Sequence, residues 1–263
     1  MKRVLFTFGL LGSFFLLKAQ HENNGFLLSG EVVYQETVKM DIKLEGIDSQ
    51  LADQIPKERK TEKVLRFTEE EAVFENRPEE DPGEHMPMEG SGMMIRINEP
   101  DNKTYIDLKN KKVVEQREFL SRLFLIESDL KPEKWKITGG QRKILDYNCL
   151  EAVARVDGGD VRVWFTPGIA VDAGPGTFSG LPGLVLAAEL SGGDRMLEAI
   201  GIELKPLDKK VLVKPTKGKK VTPDEFQAMV AEKMKEMGVE GDGTWHEGGG
   251  ATHTSTVVIR IEE

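Results

Sequence analysis

The sequence contains few of the residues that would define a specialised site. Its 263 residues include one cysteine, which excludes both an internal disulfide framework and a cysteine-based zinc cluster. Aromatic residues make up 7% of the chain, and several of them fall at expected core positions, which argues against a glycan-binding module with aromatic platforms. The formal net charge of −9 makes a broad nucleic-acid-binding face unfavourable.

Recognisable catalytic motifs are also missing from the sequence. It has no GxSxG elbow, no glycine-rich phosphate loop and no histidine inside an expected core element. Because the sequence has 45 acidic residues, no particular pair of carboxylates can be identified as catalytic. These absences favour a non-enzymatic protein without a cofactor, and an unrecognised hydrolase is the alternative.

The N-terminus has the pattern of a secretory signal peptide. Lys2 and Arg3 precede a 14-residue apolar stretch, residues 4–17, and Ala19 offers a small residue at the cleavage position. Fourteen residues are too few to span a bilayer, which needs about 20. We therefore predict a signal peptide over residues 1–19 and one β-rich domain over 20–263, with no transmembrane segment in the mature chain. The expected location is the periplasm, the outer membrane surface or the extracellular space.

Alternating apolar residues predict a long strand at the start of the mature chain. The pattern runs from Val32 to Leu44 and is interrupted on its apolar side only by Glu36. Two hairpins are predicted from paired glycines, one joining residues 149–156 to 161–165 and one joining 184–190 to 196–204. Further strands are expected at residues 64–67, 72–75, 93–97, 104–108, 113–117 and 256–261.

One helix is clearly marked. Thr222 is the expected N-cap, Pro223 suits the first turn, and Glu225 completes a capping box, so a helix over residues 223–237 is predicted. Residues 119–126 fit a short helix or a strand. Together these elements predict a mainly β fold: a long-stranded antiparallel sheet curled into a half-barrel with a lid helix, or alternatively a β-sandwich.

Three segments favour loops. Residues 76–92 are acidic and proline-rich, residues 205–220 are lysine-rich, and residues 238–254 are glycine-rich. The first contains His85, Met86 and Met88, whose imidazole and thioethers are weak candidate ligands for Cu(I). No other metal site is predicted from the sequence. Cys149 lies among apolar residues, so we expect a buried thiol, and a reactive one is the alternative.

The segment 166–183 ends in a specific sequence. It runs Gly180, Leu181, Pro182, Gly183, Leu184 and Val185. Proline followed by glycine predicts a structural type II turn, with Gly183 at positive φ and both leucines turned inward. The string resembles the signature of the GLPGLI family of exported bacterial proteins, and that resemblance implies no defined activity.

The expected architecture is also similar to the half-barrels of outer-membrane lipoprotein carriers. In such folds a helix covers an apolar cavity, and an adaptable apolar face is predicted on the helix here. We therefore expect an envelope protein that binds or carries an apolar small molecule or assists an outer-membrane protein. The face consists of Phe226, Met229, Val230, Met234 and Met237.

Overall fold

The computed structural model describes residues 28–39, 57–78, 85–87, 94–96, 99–156 and 159–236. Several predictions lie outside these residues: the signal peptide 1–19, the end of the first strand beyond residue 39, and Met88 and Met237. The same is true of most of the acidic loop, the glycine-rich loop 238–254 and the strand 256–261.

The described chain is built from strands and one α-helix. Helix α1 spans Pro223–Glu236. Fourteen strands precede it, and they are β1 (Gly30–Lys39), β2 (Glu58–Phe67), β3 (Glu71–Asn76), β4 (His85–Pro87), β5 (Met94–Arg96), β6 (Lys103–Asp107), β7 (Lys112–Phe119), β8 (Arg122–Asp129), β9 (Lys136–Ile144), β10 (Tyr147–Val156), β11 (Gly159–Thr166), β12 (Leu184–Leu190), β13 (Arg195–Leu204) and β14 (Lys219–Val221).

Twelve of the strands form one open sheet, which confirms the mainly β prediction. The strand order is β14-β8-β7-β6-β3-β2-β1-β13-β12-β11-β10-β9. The pairing is antiparallel except between β14 and β8. Strands β4 and β5 form a separate pair. The sheet begins at β14 and ends at β9, so it does not close into a barrel.

The sheet is strongly curled. Strands β7 and β12 are six positions apart, which would separate them by about 30 Å in a flat sheet. Arg117 of β7 and Leu190 of β12 nevertheless line the same small cavity. One face of the sheet is therefore concave, and it carries the buried residues Val32, Tyr34 and Glu36 of β1.

Glycines and left-handed residues shape the hairpins. Gly192 and Gly193 have φ of 67° and 94° in the turn between β12 and β13, which confirms the hairpin predicted there. Residues 119–126 form the β7–β8 hairpin, so the strand interpretation of this segment is confirmed and the helix interpretation is wrong. Leu120 and Ser121 both have positive φ, as two-residue hairpin turns require, and this conformation ends one strand and starts the next.

The connection 167–183 lies against the concave face as a compact buried segment. Ile169, Val171 and Phe178 are each at most 3% exposed. Its backbone pairs with the start of β12, because Leu184 N–H donates to Ile169 O at 2.9 Å and Val185 N–H donates to Ala173 O at 3.0 Å. These bonds satisfy backbone groups that burial removes from water.

Helix α1 packs on the concave side against β8, next to the β14 edge of the sheet. Phe119 has the same strand parity as Arg117, so it points to the concave face. The Phe226 ring lies 6.4 Å from that of Phe119 and 5.4 Å from that of Phe124. The capping box at Thr222 and Glu225 is formed as predicted, with N–H···O distances of 2.8 and 3.2 Å.

Candidate functional site

The turn at residues 181–184 is present but differs from the predicted type. Gly183 does not have positive φ, and its N–H donates to Leu181 O at 2.9 Å, which closes a three-residue turn around Pro182. The glycine is required for space instead, since a Cβ at residue 183 would lie 2.2 Å from Thr166 O. Leu181 and Leu184 do point inward, at 4% and 0% exposure.

Two side chains from elsewhere in the sequence hold this turn in place. Asp172 accepts hydrogen bonds from the backbone N–H groups of Gly180 (2.6 Å) and Leu181 (3.2 Å). Tyr34 donates its hydroxyl to Val185 O at 2.6 Å, and burial raises its pKa. In this geometry residues 180–185 join the buried segment to β12, and a structural role for them stays a prediction.

The apolar residues of α1 are used in packing. Val230 is fully buried, and Phe226, Met229 and Met234 pack around it against Phe119 and Phe124. Within the described part of the chain, the sheet therefore covers this face in part, and Phe226, Met229 and Met234 stay half-buried. Met237, the last member of the predicted face, lies outside the described residues.

The predicted metal-site residues fall on a short strand pair. His85 and Met86 belong to β4, which pairs with β5, and Met88 lies outside the described residues. Among the residues that the structure describes, no group of three or more His, Cys, Asp or Glu side chains is arranged to hold a metal ion.

The most distinctive feature of the concave face is a buried charged cluster. Glu36 is 6% exposed and lies between two cations, Lys63 and Arg195, which are 8% and 9% exposed. Arg195 Nε donates to Glu36 Oε1 at 2.5 Å, and Lys63 Nζ lies 3.5 Å from Glu36 Oε2. Thr61 donates its hydroxyl to the same Oε2 at 3.3 Å. Charges with so little exposure are stable only when they are paired in this way.

Strand register assembles this cluster. In β1 the residues two apart share a face, so Glu36 points inward like Tyr34. Lys63 lies opposite Tyr34 on β2, and Arg195 lies opposite Val38 on β13. The side chains of three neighbouring strands thus meet although they are far apart in sequence.

The cluster extends across the cavity to the other arm of the sheet. Lys63 Nζ donates to Asn76 Oδ1 at 2.7 Å and also pairs with Glu99. Arg117, 9% exposed, pairs with Glu115 on the same strand. The charged cluster as named below consists of Glu36, Lys63, Glu99, Glu115, Arg117 and Arg195.

The cavity beside the cluster has a volume of about 40 Å³. Apolar residues, with Phe74, Phe178 and Pro175 among them, line the cavity together with the cations Lys63 and Arg117. Within the described part of the chain, the lining residues are Lys63, Phe74, Glu75, Asn76, Asn102, Thr104, Arg117, Pro175, Gly176, Phe178, Leu190, Arg195 and Leu197.

The ionisation of Glu36 is set by its neighbours. Burial alone would raise its pKa, but the positive charges of Arg195 and Lys63 and their hydrogen bonds outweigh burial and hold the pKa below 4.5. Glu36 is therefore ionised at neutral pH and does not suit the role of proton donor. Its carboxylate instead fixes the positions of Arg195 and Lys63.

Cys149 is buried, as predicted, at 1% exposure and has no disulfide partner. Burial raises its pKa, which keeps the sulfur in the unreactive thiol form at neutral pH. This location favours a packing role.

Sequence reasoning missed most of the charged cluster. Glu36 stood out because it interrupts an apolar strand face, and that interruption was the available signal. Lys63, Arg117 and Arg195 lie on strands that are rich in charged residues, so nothing local distinguishes them from solvent-facing side chains. Only the curl of the sheet brings them together.

Comparison with solved structures finds the same fold in a larger protein. The structure of PNGF-II in space group C2 aligns with a TM-score of 0.50 at 19% identity, covering 78% of this chain and 33% of that chain. The structure of PNGF-II in space group P21 aligns with a TM-score of 0.50 at 18% identity, with the same coverage. This chain thus spans a third of the length of those chains. No curated protein matches the sequence.

A family model also matches, described as the N-glycanase peptide, N-terminal domain, over residues 92–225. This match contradicts the predicted non-enzymatic carrier of apolar ligands, because it relates the chain to proteins named for hydrolysis of glycans. It favours the hydrolase alternative. Neither the family model nor the solved structures carry the GLPGLI name, although residues 180–185 lie within the matched segment.

The matched segment contains most of the cavity lining. It includes Asn102, Thr104 and Arg117 on one arm of the sheet, and Phe178 and Arg195 on the other. It covers just over half of the 263 residues. The chain therefore belongs to the family of the N-glycanase peptide, N-terminal domain.

Proposed function

We propose that the protein takes part in the hydrolysis of N-linked glycans, and that the cavity on the concave face is a surface that contacts the substrate. The family match supports the reaction class. The observation that carries the choice of surface is the charged cluster, whose cations line a cavity instead of projecting into solvent. Burying charge is unfavourable for stability alone, so a charged cavity of this kind is typical of functional sites.

The substrate chemistry fits the lining of the cavity. Glycans present hydroxyl, amide and charged groups, which need hydrogen-bond donors and acceptors. Asn76, Asn102 and Thr104 offer both, and Lys63 and Arg117 offer charged donors. Phe74 and Phe178 provide an apolar wall for the carbon atoms of a sugar.

The reaction needs only water as a co-reactant. Hydrolysis of the amide bond between glycan and asparagine gives the hydroxyl of one water molecule to the carbonyl carbon, which leaves aspartate, and its hydrogen to the nitrogen, which leaves a glycosylamine. A second water molecule then displaces the nitrogen from the sugar, which releases ammonia and the free oligosaccharide. Because Glu36 is held ionised between two cations, we assign it to positioning Arg195 and Lys63 and not to proton donation.

The test is a glycan-release assay with the purified full chain. An N-glycosylated peptide is incubated with the protein, and the products are separated by mass spectrometry. We expect free oligosaccharide together with a peptide in which aspartate replaces asparagine. A peptide that retains one sugar on asparagine would support hydrolysis at a glycosidic bond instead. Glycopeptide that stays intact under all conditions would overturn the proposal.

Two variants, each of which replaces one asparagine by aspartate, test the role of the cavity. Asn102→Asp adds a negative charge to the cavity lining but keeps the oxygen that accepts a hydrogen bond from Glu118 N–H at 2.9 Å. Asn148→Asp makes the same change at an exposed position of β10. We expect only the first to change the rate of release, and equal rates in both variants would remove the cavity from the proposal.

We also propose that residues 1–19 direct export and are removed after Ala19. The positively charged start and the apolar stretch 4–17 support this proposal. Among the described residues, no helix is long and apolar enough to cross a membrane. N-terminal sequencing of the protein from its native cells should give Gln20 as the first residue, and an intact Met1 would contradict export by this route.

A further inference from the structure

The charged side chains that line the cavity are already neutralised. Lys63, Arg117 and Arg195 are each paired with a carboxylate of the charged cluster. Glu75 also lines the cavity, and it is paired with cations on both neighbouring strands. A charged ligand would lose its hydration here without gaining an unpaired opposite charge, which is unfavourable. The cavity therefore suits a neutral group.

Thr104 brings an unused hydroxyl to the cavity. The residue is 3% exposed, and its Oγ1 has no hydrogen-bond partner within the described ranges. In the same ranges, the side-chain nitrogen and oxygen atoms that are both sealed from solvent and unpaired are Arg142 Nε and Ser179 Oγ. Thr104 Oγ1 is not one of them, so it keeps access to the cavity that the residue lines.

Asn102 supplies a second unused donor two residues before Thr104. Its Oδ1 accepts a hydrogen bond from Glu118 N–H at 2.9 Å, whereas its Nδ2 donates to none of the residues that the structure describes. A largely buried polar group without a partner costs free energy, which an incoming acceptor would recover. A carbonyl oxygen has two lone pairs and is the neutral acceptor that suits such a pair of donors.

The lining also contains a set of apolar side chains. Phe74, Pro175, Phe178, Leu190 and Leu197 belong to this set. Contact with these side chains removes an apolar ligand atom from water, so burial of a methyl group among them is favourable. The favoured ligand group therefore combines a carbonyl oxygen with an apolar end.

Size restricts what can enter. One water molecule in a cavity needs about 10–15 Å³. A volume of about 40 Å³ therefore holds about three heavy atoms and is too small for a complete sugar ring. A methyl group together with a carbonyl carbon and its oxygen has this size.

We infer that this cavity binds the acetyl part of an acetamido group on an N-acetylated amino sugar. The carbonyl oxygen accepts from Thr104 and Asn102, the methyl group packs among the apolar side chains, and the sugar ring stays outside. The inference rests on the proposed function, because that function supplies a carbohydrate as the carrier of the group. The side-chain amide of a peptide also presents a carbonyl oxygen, and the experiment separates the two sources.

The experiment is an NMR titration of the isotopically labelled full chain with N-acetylglucosamine, glucose and glutamine. N-acetylglucosamine and glucose differ at one ring carbon, where an acetamido group replaces a hydroxyl group. Glutamine carries an amide that has no methyl group. We expect N-acetylglucosamine to shift the backbone resonances of residues 102–104, 117 and 175–178, and glucose and glutamine to leave them unchanged.

A hydroxyl deletion tests the assigned contact. Thr104→Val keeps the size of the side chain and breaks no hydrogen bond of the described fold, since Oγ1 has no partner there. It should weaken binding of N-acetylglucosamine by about three- to tenfold, the effect of losing one hydrogen bond. Thr37→Val is the matched control, because Thr37 follows Glu36 in β1 and so lies on the opposite face of the sheet. It should bind like the wild type.

Each alternative result has a definite meaning. Equal shifts with glucose, or no shifts with N-acetylglucosamine, would overturn the inference. Binding of glutamine without N-acetylglucosamine would overturn the assignment to a sugar. Unchanged affinity in Thr104→Val would overturn the assigned contact. If that variant does not fold, Asn102→Asp replaces it, because aspartate keeps the oxygen that bonds to Glu118 N–H and lacks the Nδ2 donor. Unchanged affinity there would have the same meaning.

The titration and the glycan-release assay fail independently. Release of glycans without binding of N-acetylglucosamine at the cavity would contradict only the inference about the acetyl group. Binding of N-acetylglucosamine without any release would contradict only the proposed function.

Discussion

Close approach of two backbone segments determines which residue is accepted at position 183. The space at Gly183 is filled by the Thr166 carbonyl, and not by any flexible side chain that could move away. The backbone conformation at this residue is an ordinary one with negative φ. The residue is therefore fixed by the distance between β12 and the end of β11, and this distance is a property of the tertiary fold.

Gly183→Ala should destabilise the fold. Its Cβ would lie 2.2 Å from Thr166 O and 2.7 Å from Thr166 C, so β11 and the turn must separate. Overpacking of this kind typically costs about 1–3 kcal/mol. Urea unfolding measures the loss as a lower midpoint with an unchanged slope. The control is Gly201→Ala, where no atom lies within 4 Å of the added Cβ and little change is expected. Equal midpoints for the two variants would disprove the steric explanation.

Glu36, whose carboxylate lies at the centre of the charged cluster, is a second single residue on which the stability of the fold depends. Glu36→Gln removes the negative charge that Arg195 and Lys63 share, and it leaves two buried cations without their common partner. Breaking a buried pair on one side typically costs about 3–5 kcal/mol. Asp129→Asn is the control, because the Lys112–Asp129 pair is exposed and its loss should leave the unfolding midpoint unchanged.

The same carboxylate should make stability depend on acid pH. The pKa of Glu36 in the fold is below its ordinary value of 4.5. As the pH falls below 4.5, the unfolded chain binds a proton at this residue before the folded chain does, so stability decreases until the folded-state pKa is passed. Thermal unfolding between pH 7 and acid pH should show a steeper decrease of Tm in the wild type than in Glu36→Gln. Parallel curves would show that the pairing does not shift this pKa.

Cys149 provides a test of burial at a single atom. The thiol is buried and its raised pKa leaves little thiolate at neutral pH. A thiol-specific chromogenic reagent should therefore react slowly with the folded protein and rapidly after denaturation. Fast labelling of the native protein would place Cys149 at the surface and restore the alternative of a reactive thiol.

At the scale of elements, helix α1 depends on both its cap and its packing. Thr222 and Glu225 exchange hydrogen bonds across the first turn, and Val230 is fully buried further along the helix. A helix of 14 residues is marginal on its own, so these contacts determine whether it forms.

Thr222→Ala should lower the stability of the helix by about 1 kcal/mol, because the Glu225 N–H loses its hydroxyl acceptor. Thr222→Ser keeps the hydroxyl and serves as the matched control. Hydrogen exchange of the α1 amides measures the effect, and it should be faster in the alanine variant alone. Equal exchange in both variants would show that packing against Phe119 and Phe124 is sufficient.

Local patterns in the sequence predicted most strands but not all of them. Paired glycines predicted the β10–β11 and β12–β13 hairpins, and alternation predicted β1, because these signals lie within a few residues of each other. Strand β9 was missed because it is an edge strand with most of its side chains exposed, so it has no apolar alternation. Residues 119–126 stayed ambiguous because the turn is made by Leu120 and Ser121 and not by glycine.

At the scale of the whole molecule, curling of the sheet creates the candidate site. Arg117 and Arg195 are on strands five positions apart in the sheet, and both line one cavity only because the sheet bends over residues 167–183. No pattern in a single segment encodes that proximity. The fold class was therefore predictable from local periodicity, whereas the site, apart from Glu36, was not.

The central claim is that the concave cavity contacts an N-linked glycan. Hydrogen–deuterium exchange of the full chain, with and without an N-glycosylated peptide, tests it most directly. With the glycosylated peptide, we predict slower exchange of the backbone amides of residues 102–117 and 175–178 and unchanged exchange of the amides of β10. The unglycosylated peptide should protect none of these amides. Protection confined to amides outside the segments that line the cavity would contradict the claim. Equal protection of residues 102–117 and 175–178 by the unglycosylated peptide would also contradict it.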